Sequence, residues 1–135
     1  MKLNFLQKTA LGLSGAISFG IGAFILAAPH AFYASYGIEL GADPSLLSEM
    51  RAPGAGLAAF GVVMLSGLFR SAMTLPAIVA AMTVFLAFPA GRLVGIAFDG
   101  MPSDGIVAAL LLELAIATLC VFAFRPTALR RVGLS

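Results

Sequence analysis

Four long stretches of the chain are almost free of charge, and short polar segments separate them: about 9–28, 52–69, 71–98 and 105–124. Each approaches the roughly 20 apolar residues that a helix needs to cross about 30 Å of hydrocarbon. Apolar positions run all the way round each stretch rather than along one stripe, as in helices surrounded by lipid and by one another. Strict alternation, the mark of a membrane-barrel strand, is missing. The pattern predicts an all-α, integral membrane four-helix bundle forming a single transmembrane domain over 1–135.

The segments between the stretches carry their own signals. After the first comes Pro29-His30-Ala31-Phe32-Tyr33-Ala34-Ser35-Tyr36-Gly37. Phe32, Tyr33 and Tyr36 fall on one helical face, which predicts a short interfacial helix at headgroup level that ends at Gly37. Arg70 and its neighbours leave room only for a tight hairpin between the second and third spans. Asp99-Gly100-Met101-Pro102-Ser103-Asp104 is rich in helix breakers, and Ser103 or Asp104 can cap the fourth helix. The first span follows Lys2 and Lys8 and closes on Ala27 and Ala28, a signal-peptide pattern. Its apolar run exceeds the roughly 7–15 residues of a signal core, so it is read as a retained span.

Composition sharpens this picture. Of 135 residues, 61% are hydrophobic and 10% charged, whereas a soluble domain carries about 25% charge. A soluble fold this small has too much surface to clothe with so few polar groups. The net charge of +2 comes from basic residues scattered singly, without the stripe that nucleic acid requires. Lys2, Lys8, Arg70, Arg125, Arg130 and Arg131 fall on one side of the predicted spans, with no acid among them. Glu39, Asp43, Glu49, Asp99, Asp104 and the deeper Glu113 fall on the other, with only Arg51 and Arg92 as basic company. Cytoplasmic loops carry the excess of Lys and Arg, which predicts both termini inside, in a bacterial inner membrane.

Small residues recur at helical spacing: Gly12, Ala16 and Gly20; Gly54 and Ala58; Ala87, Gly91 and Gly95. Such rows let membrane helices approach closely, within one bundle or across a homodimer. Pro76 and Pro89 fall inside the third span, and Pro89 removes the hydrogen bond to the Phe85 carbonyl, which predicts a kink. Cys120, the only cysteine, sits in an apolar run and reads as a small buried hydrophobe. His30 reads as a solvated interfacial histidine, or as a proton-linked switch.

The charges near the spans carry the functional interest. A lone ionised side chain near a helix centre costs about 3 kcal/mol on insertion scales, so it pairs or lines a wet cavity. Glu113 lies eight residues into the fourth span, roughly 12 Å below its outer end at 1.5 Å per residue. Arg92 lies near the outer end of the third. Antiparallel neighbours joined by a short turn bring the two to similar depth, which predicts an Arg92–Glu113 ion pair. Glu49 and Arg51 open the second span at i, i+2 spacing and face different neighbours. Arg51 is expected to reach Glu113 or Asp104, and Glu49 to reach Arg92, giving an outward-facing cluster of Glu49, Arg51, Arg92 and Glu113. The cluster either fixes helix register or forms a polar pocket for a lipid headgroup, a quinone-like molecule or a partner's side chain.

Four short spans, the Pro-aromatic-Tyr-Gly segment and Glu49-Met50-Arg51-Ala52-Pro53-Gly54-Ala55-Gly56, supported by Arg92 and Glu113, carry a family likeness. The chain resembles small bacterial four-helix membrane proteins grouped only as a domain of unknown function, and more loosely the DoxX-like superfamily. Ala55 departs from the Gly-Gly expected in that segment. The resemblance implies the fold and no activity.

Zinc-protease, nucleophile-elbow, phosphate-loop and dinucleotide motifs are all missing from the sequence. One histidine and one cysteine leave a metal without ligands, and no cofactor is expected. The leading expectation is a non-catalytic accessory, assembly or lipid-associated protein. Its partners would be membrane lipids, a second copy of itself or another membrane protein, and not nucleic acid. The alternatives are a small proton-coupled transporter using Glu113 and a lipid-modifying membrane enzyme with Glu113 as acid or base.

Overall fold

The computed structural model describes residues 2–131, with side chains through Arg125; Arg130 and Arg131, expected as anchors, lie outside the described side chains. All regular structure among the described residues is helical: α1 (Phe5–Ala27), α2 (Pro29–Ala34), α3 (Pro44–Ser66), a 3-10 turn (Ser71–Met73), α4 (Thr74–Asp99) and α5 (Asp104–Arg131). Three segments, Phe5–Ala27, Ser71–Asp99 and Asp104–Arg125, are long and apolar enough to cross a membrane. Each carries large apolar side chains on its outer face, Phe19, Val94 and Phe122 among them.

Local chemistry sets the helix ends. At α1, the Asn4 side chain accepts from the Gln7 backbone at 2.8 Å while Gln7 accepts from the Asn4 backbone at 3.1 Å. These reciprocal bonds satisfy two donors that the first turn leaves open. The α3 helix begins eight residues before the apolar run at Ala52. Asp43 accepts from the Ser45 backbone at 3.1 Å, and Pro44 occupies the first helical position, where a missing N–H costs nothing. Its early turns therefore carry Glu49, Arg51 and Pro53, and α3 is not among the three most apolar segments. Pro76 likewise falls in the first turn of α4 and disturbs nothing, and the helix continues unbroken through the buried Pro89.

The closest packing joins α1 to α3. A Cβ added at Gly22 would lie 2.3 Å from the Ala58 backbone nitrogen, and one at Gly61 would lie 2.4 Å from that of Phe19. Gly15 and Gly54 are filled by Leu65 and Ile25. The seam thus uses Gly15 and Gly22 on one helix and Gly54 and Gly61 on the other, a seven-residue step that keeps each pair on one face. The row expected at Gly12, Ala16 and Gly20 is rotated away from it, with Ala16 and Gly20 exposed. Gly91 and Gly95 also meet nothing within 4 Å.

The buried core occupies the half of the bundle nearest both chain termini, around Leu11, Met64, Ala77, Ala81 and Cys120. Polar contacts tie the helices together there. Ser14 Oγ lies 3.2 Å from Cys120 Sγ, Ser18 donates to Met64 Sδ at 3.6 Å, and Gln7 Nε2 donates to the Ala123 carbonyl at 3.1 Å. Cys120 is buried, as its apolar surroundings predict. The candidate site lies toward the other end of the bundle, beyond Val84 and Phe85.

Candidate functional site

The short α2 helix covers that end. Pro29 starts it, and Gly37, at φ 74°, ends the turn that follows, a left-handed conformation that glycine adopts without penalty. Two contacts fasten α2 to the start of α5. Ser103 Oγ donates to the Tyr36 carbonyl at 2.7 Å, and a Cβ at Gly105 would lie 2.8 Å from the Ser35 carbonyl oxygen. Ser103 therefore spends its hydroxyl on the α2 segment rather than on a helix cap, while its carbonyl accepts from Ile106 and Val107. His30 is exposed, with Nε2 2.6 Å from the Gly41 carbonyl oxygen, so it links α2 to the loop beyond.

Beneath α2 lies a partly open cavity of about 810 Å³, within the roughly 300–1,000 Å³ range of small-molecule sites. Ile17, Ile21 and Ile25 of α1, Phe88 of α4 and Ala109 and Leu112 of α5 line its apolar body. Polar groups gather at one end: Arg92, Glu113, Tyr33 and Tyr36. Ser18 also borders the cavity, but its hydroxyl is already directed to Met64. Gly91 leaves open space on the wall beside Arg92.

Arg92 and Glu113 form the ion pair that their depths predict. Arg92 Nε donates to Glu113 Oε2 at 2.8 Å and to Oε1 at 3.1 Å, and Nη2 donates to Oε1 at 2.8 Å. The side chains are 23% and 13% exposed. Such a two-pronged contact fixes the relative rotation of α4 and α5 as well as balancing charge.

Tyr36 completes this corner. Burial raises its pKa above the ordinary tyrosine value; the nearby Arg92 charge opposes that rise, Glu113 adds to it, and a hydrogen bond with Arg92 opposes it further. The Tyr33 pKa is also raised, first by burial and then by Tyr36, with Arg92 opposing. Edge-to-face contacts stack Tyr36 and Tyr33 on Phe32, with ring centroids 5.0 and 5.1 Å apart. Phe32 in turn meets Phe24 of α1 at 5.5 Å.

Glu49 and Arg51 do not join this corner. Arg51 Nη1 donates to the Leu26 carbonyl, so its charge sits on the C-terminal end of α1. That end carries unpaired carbonyls and partial negative charge, which suits a guanidinium. Glu49 is exposed, and the one ion pair among the described residues is Arg92–Glu113. The expected four-residue network is therefore a pair plus two separate residues. Helix phase is the reason: α3 presents Gly54 and Leu57 inward and turns Glu49 outward. The i, i+1, i+4 spacing of Phe32, Tyr33 and Tyr36 marked a shared face, but gave no sign that the face would close over a cavity.

Among known proteins, residues 6–124 match the family model described as Domain of unknown function (DUF4345). No curated protein matches the chain. No solved structure matches it either.

Proposed function

The chain belongs to the DUF4345 family, a domain of unknown function, and we propose that it is a non-catalytic, lipid-associated membrane protein whose cavity holds an amphipathic molecule. The molecule's apolar body lies among Ile17, Ile21, Phe88 and Leu112, and its polar head lies at Arg92, Tyr33 and Tyr36. One observation carries this reading: the Arg92–Glu113 pair and both tyrosines of the chain sit at one end of an otherwise apolar cavity. Convergent polar groups on an apolar pocket are the usual design of a site that orients a small molecule.

In this reading the protein crosses a bacterial inner membrane four times, with α3 as the fourth span and both termini cytoplasmic. The charge asymmetry between the two ends of the bundle supports that orientation. The α2 helix lies at headgroup level, where tyrosines prefer to sit. A transport or catalytic role for Glu113 would require Arg92 to release both carboxylate oxygens first. Native mass spectrometry of protein purified in several mild detergents tests the proposal. A discrete adduct retained across detergents is expected, and bare protein in all of them contradicts it.

A further inference from the structure

Charge balance inside the cavity bears on the class of molecule it takes. Among the described lining residues Arg92 is the one cation and Glu113 the one anion, and each neutralises the other. A charged head would have to draw one of them away, leaving the other buried without its counter-ion, or remain unpaired itself. An uncharged head pays neither cost.

Hydrogen-bonding capacity narrows the class further. A guanidinium has five N–H donors, and the pair with Glu113 occupies only those on Nε and one on Nη2. Tyr36 meets the same guanidinium, and the Tyr33 hydroxyl makes no hydrogen bond among the described residues. Arg92 keeps N–H groups that can only donate, and the Tyr33 hydroxyl can donate beside them, while the carboxylate is engaged by the pair, so an acceptor on the head meets the larger share of what is left open. Size is compatible with a long apolar tail: the cavity, about 810 Å³ and partly open, has room for at least one alkyl chain.

Resting on the lipid-associated reading above, we infer that the ligand is an uncharged amphiphile whose head presents a carbonyl, ester or hydroxyl oxygen. The head oxygen accepts from the free edge of Arg92 and from Tyr33, and the Arg92–Glu113 pair stays closed.

The chain offers its own reporters, since it has no tryptophan and only two tyrosines, both on the cavity wall. Full-length protein carrying 3-fluorotyrosine, in phosphatidylcholine nanodiscs, is titrated with three probes of equal chain length: hexadecanol, hexadecyl phosphate and hexadecyltrimethylammonium. Hexadecanol is expected to shift the Tyr33 and Tyr36 fluorine resonances saturably, at a concentration at least tenfold below either charged probe. Tyr33→Phe, read at the remaining Tyr36 resonance, is expected to weaken hexadecanol binding about threefold to tenfold, as the loss of one hydrogen bond does. Saturable binding of a charged probe as tight as hexadecanol overturns the uncharged class and leaves the lipid-associated reading standing. Failure of all three probes to shift either resonance overturns both.

Discussion

Arg92 of α4 holds both carboxylate oxygens of Glu113 of α5, 21 residues further along the chain, with Nε–Oε2 and Nη2–Oε1 both at 2.8 Å. The contact sits at the α2 end of the cavity, beside Tyr33 and Tyr36, so it both locks two helices and forms one wall of the site. Breaking a buried pair by removing one partner costs about 3–5 kcal/mol, chiefly because the other charge is stranded. Here the pair keeps some exposure, so Arg92→Leu and Glu113→Leu are each expected to destabilise the protein by about 2–3 kcal/mol. The double Leu variant is expected to recover at least half of that loss. Thermal unfolding of the four proteins in one detergent checks this; a double variant as unstable as the sum of the singles would mean that stranded charge is not the cause.

The pair was legible because two depths and one short connection determine it: Arg92 near the end of one helix, Glu113 two turns into the next, and an antiparallel turn between. The fate of Arg51 was not legible in the same way. Its partner is a backbone carbonyl on α1, and nothing in the side-chain pattern marks one carbonyl among many. Glu49 depended on the rotation of α3 about its axis, which the glycine seam with α1 sets. Asp43-Pro44 is the local start signal of α3, and an apolar run beginning at Ala52 does not reveal it. The cavity had no sequence signal of its own, since it is space left between helices whose closest packing lies elsewhere.

Glycines on the seam and off it should behave differently. Gly22→Ala and Gly61→Ala place a methyl group within 2.5 Å of backbone atoms that cannot move aside independently. Overpacking of this kind costs about 1–3 kcal/mol. Gly20→Ala meets open space and is expected to stabilise slightly, because alanine favours a helix by about 0.8–1.0 kcal/mol over glycine. Unfolding midpoints of the three variants give the comparison, and equal midpoints would remove the seam from the account of packing.

The hydroxyl of Ser103 holds the end of the α2 segment to α5 through the Tyr36 carbonyl. Ser103→Ala should cost about 0.5–1.5 kcal/mol. It is expected to raise amide hydrogen exchange over residues 32–38 while leaving α1 and α4 unchanged. Unaltered exchange in that segment would show that packing alone keeps α2 in place.

Both tyrosines should resist ionisation. Their pKa values are raised in the folded protein, chiefly by burial, above the value of about 10 for a free tyrosine. The folded state therefore keeps its protons to higher pH than the unfolded state. This contribution to stability is fully present below pH 10 and is lost as pH rises through the raised values. Ultraviolet difference titration is expected to place both midpoints above 10, and Tyr33→Phe/Tyr36→Phe should remove this part of the alkaline destabilisation. A midpoint at or below 10 for either residue would contradict its partial burial on the cavity wall.

The most direct measurement of the central claim compares wild-type protein with Gly91→Leu. Gly91 lines the cavity, and a side chain added there begins in open space. Leucine is also the better helix former, so the variant should fold with an unfolding midpoint at or above that of the wild type. Native mass spectrometry is expected to show a discrete amphiphile retained by the wild type and lost from Gly91→Leu. A folded Gly91→Leu protein that retains the same adduct at the same occupancy would contradict the claim that the cavity is the binding site.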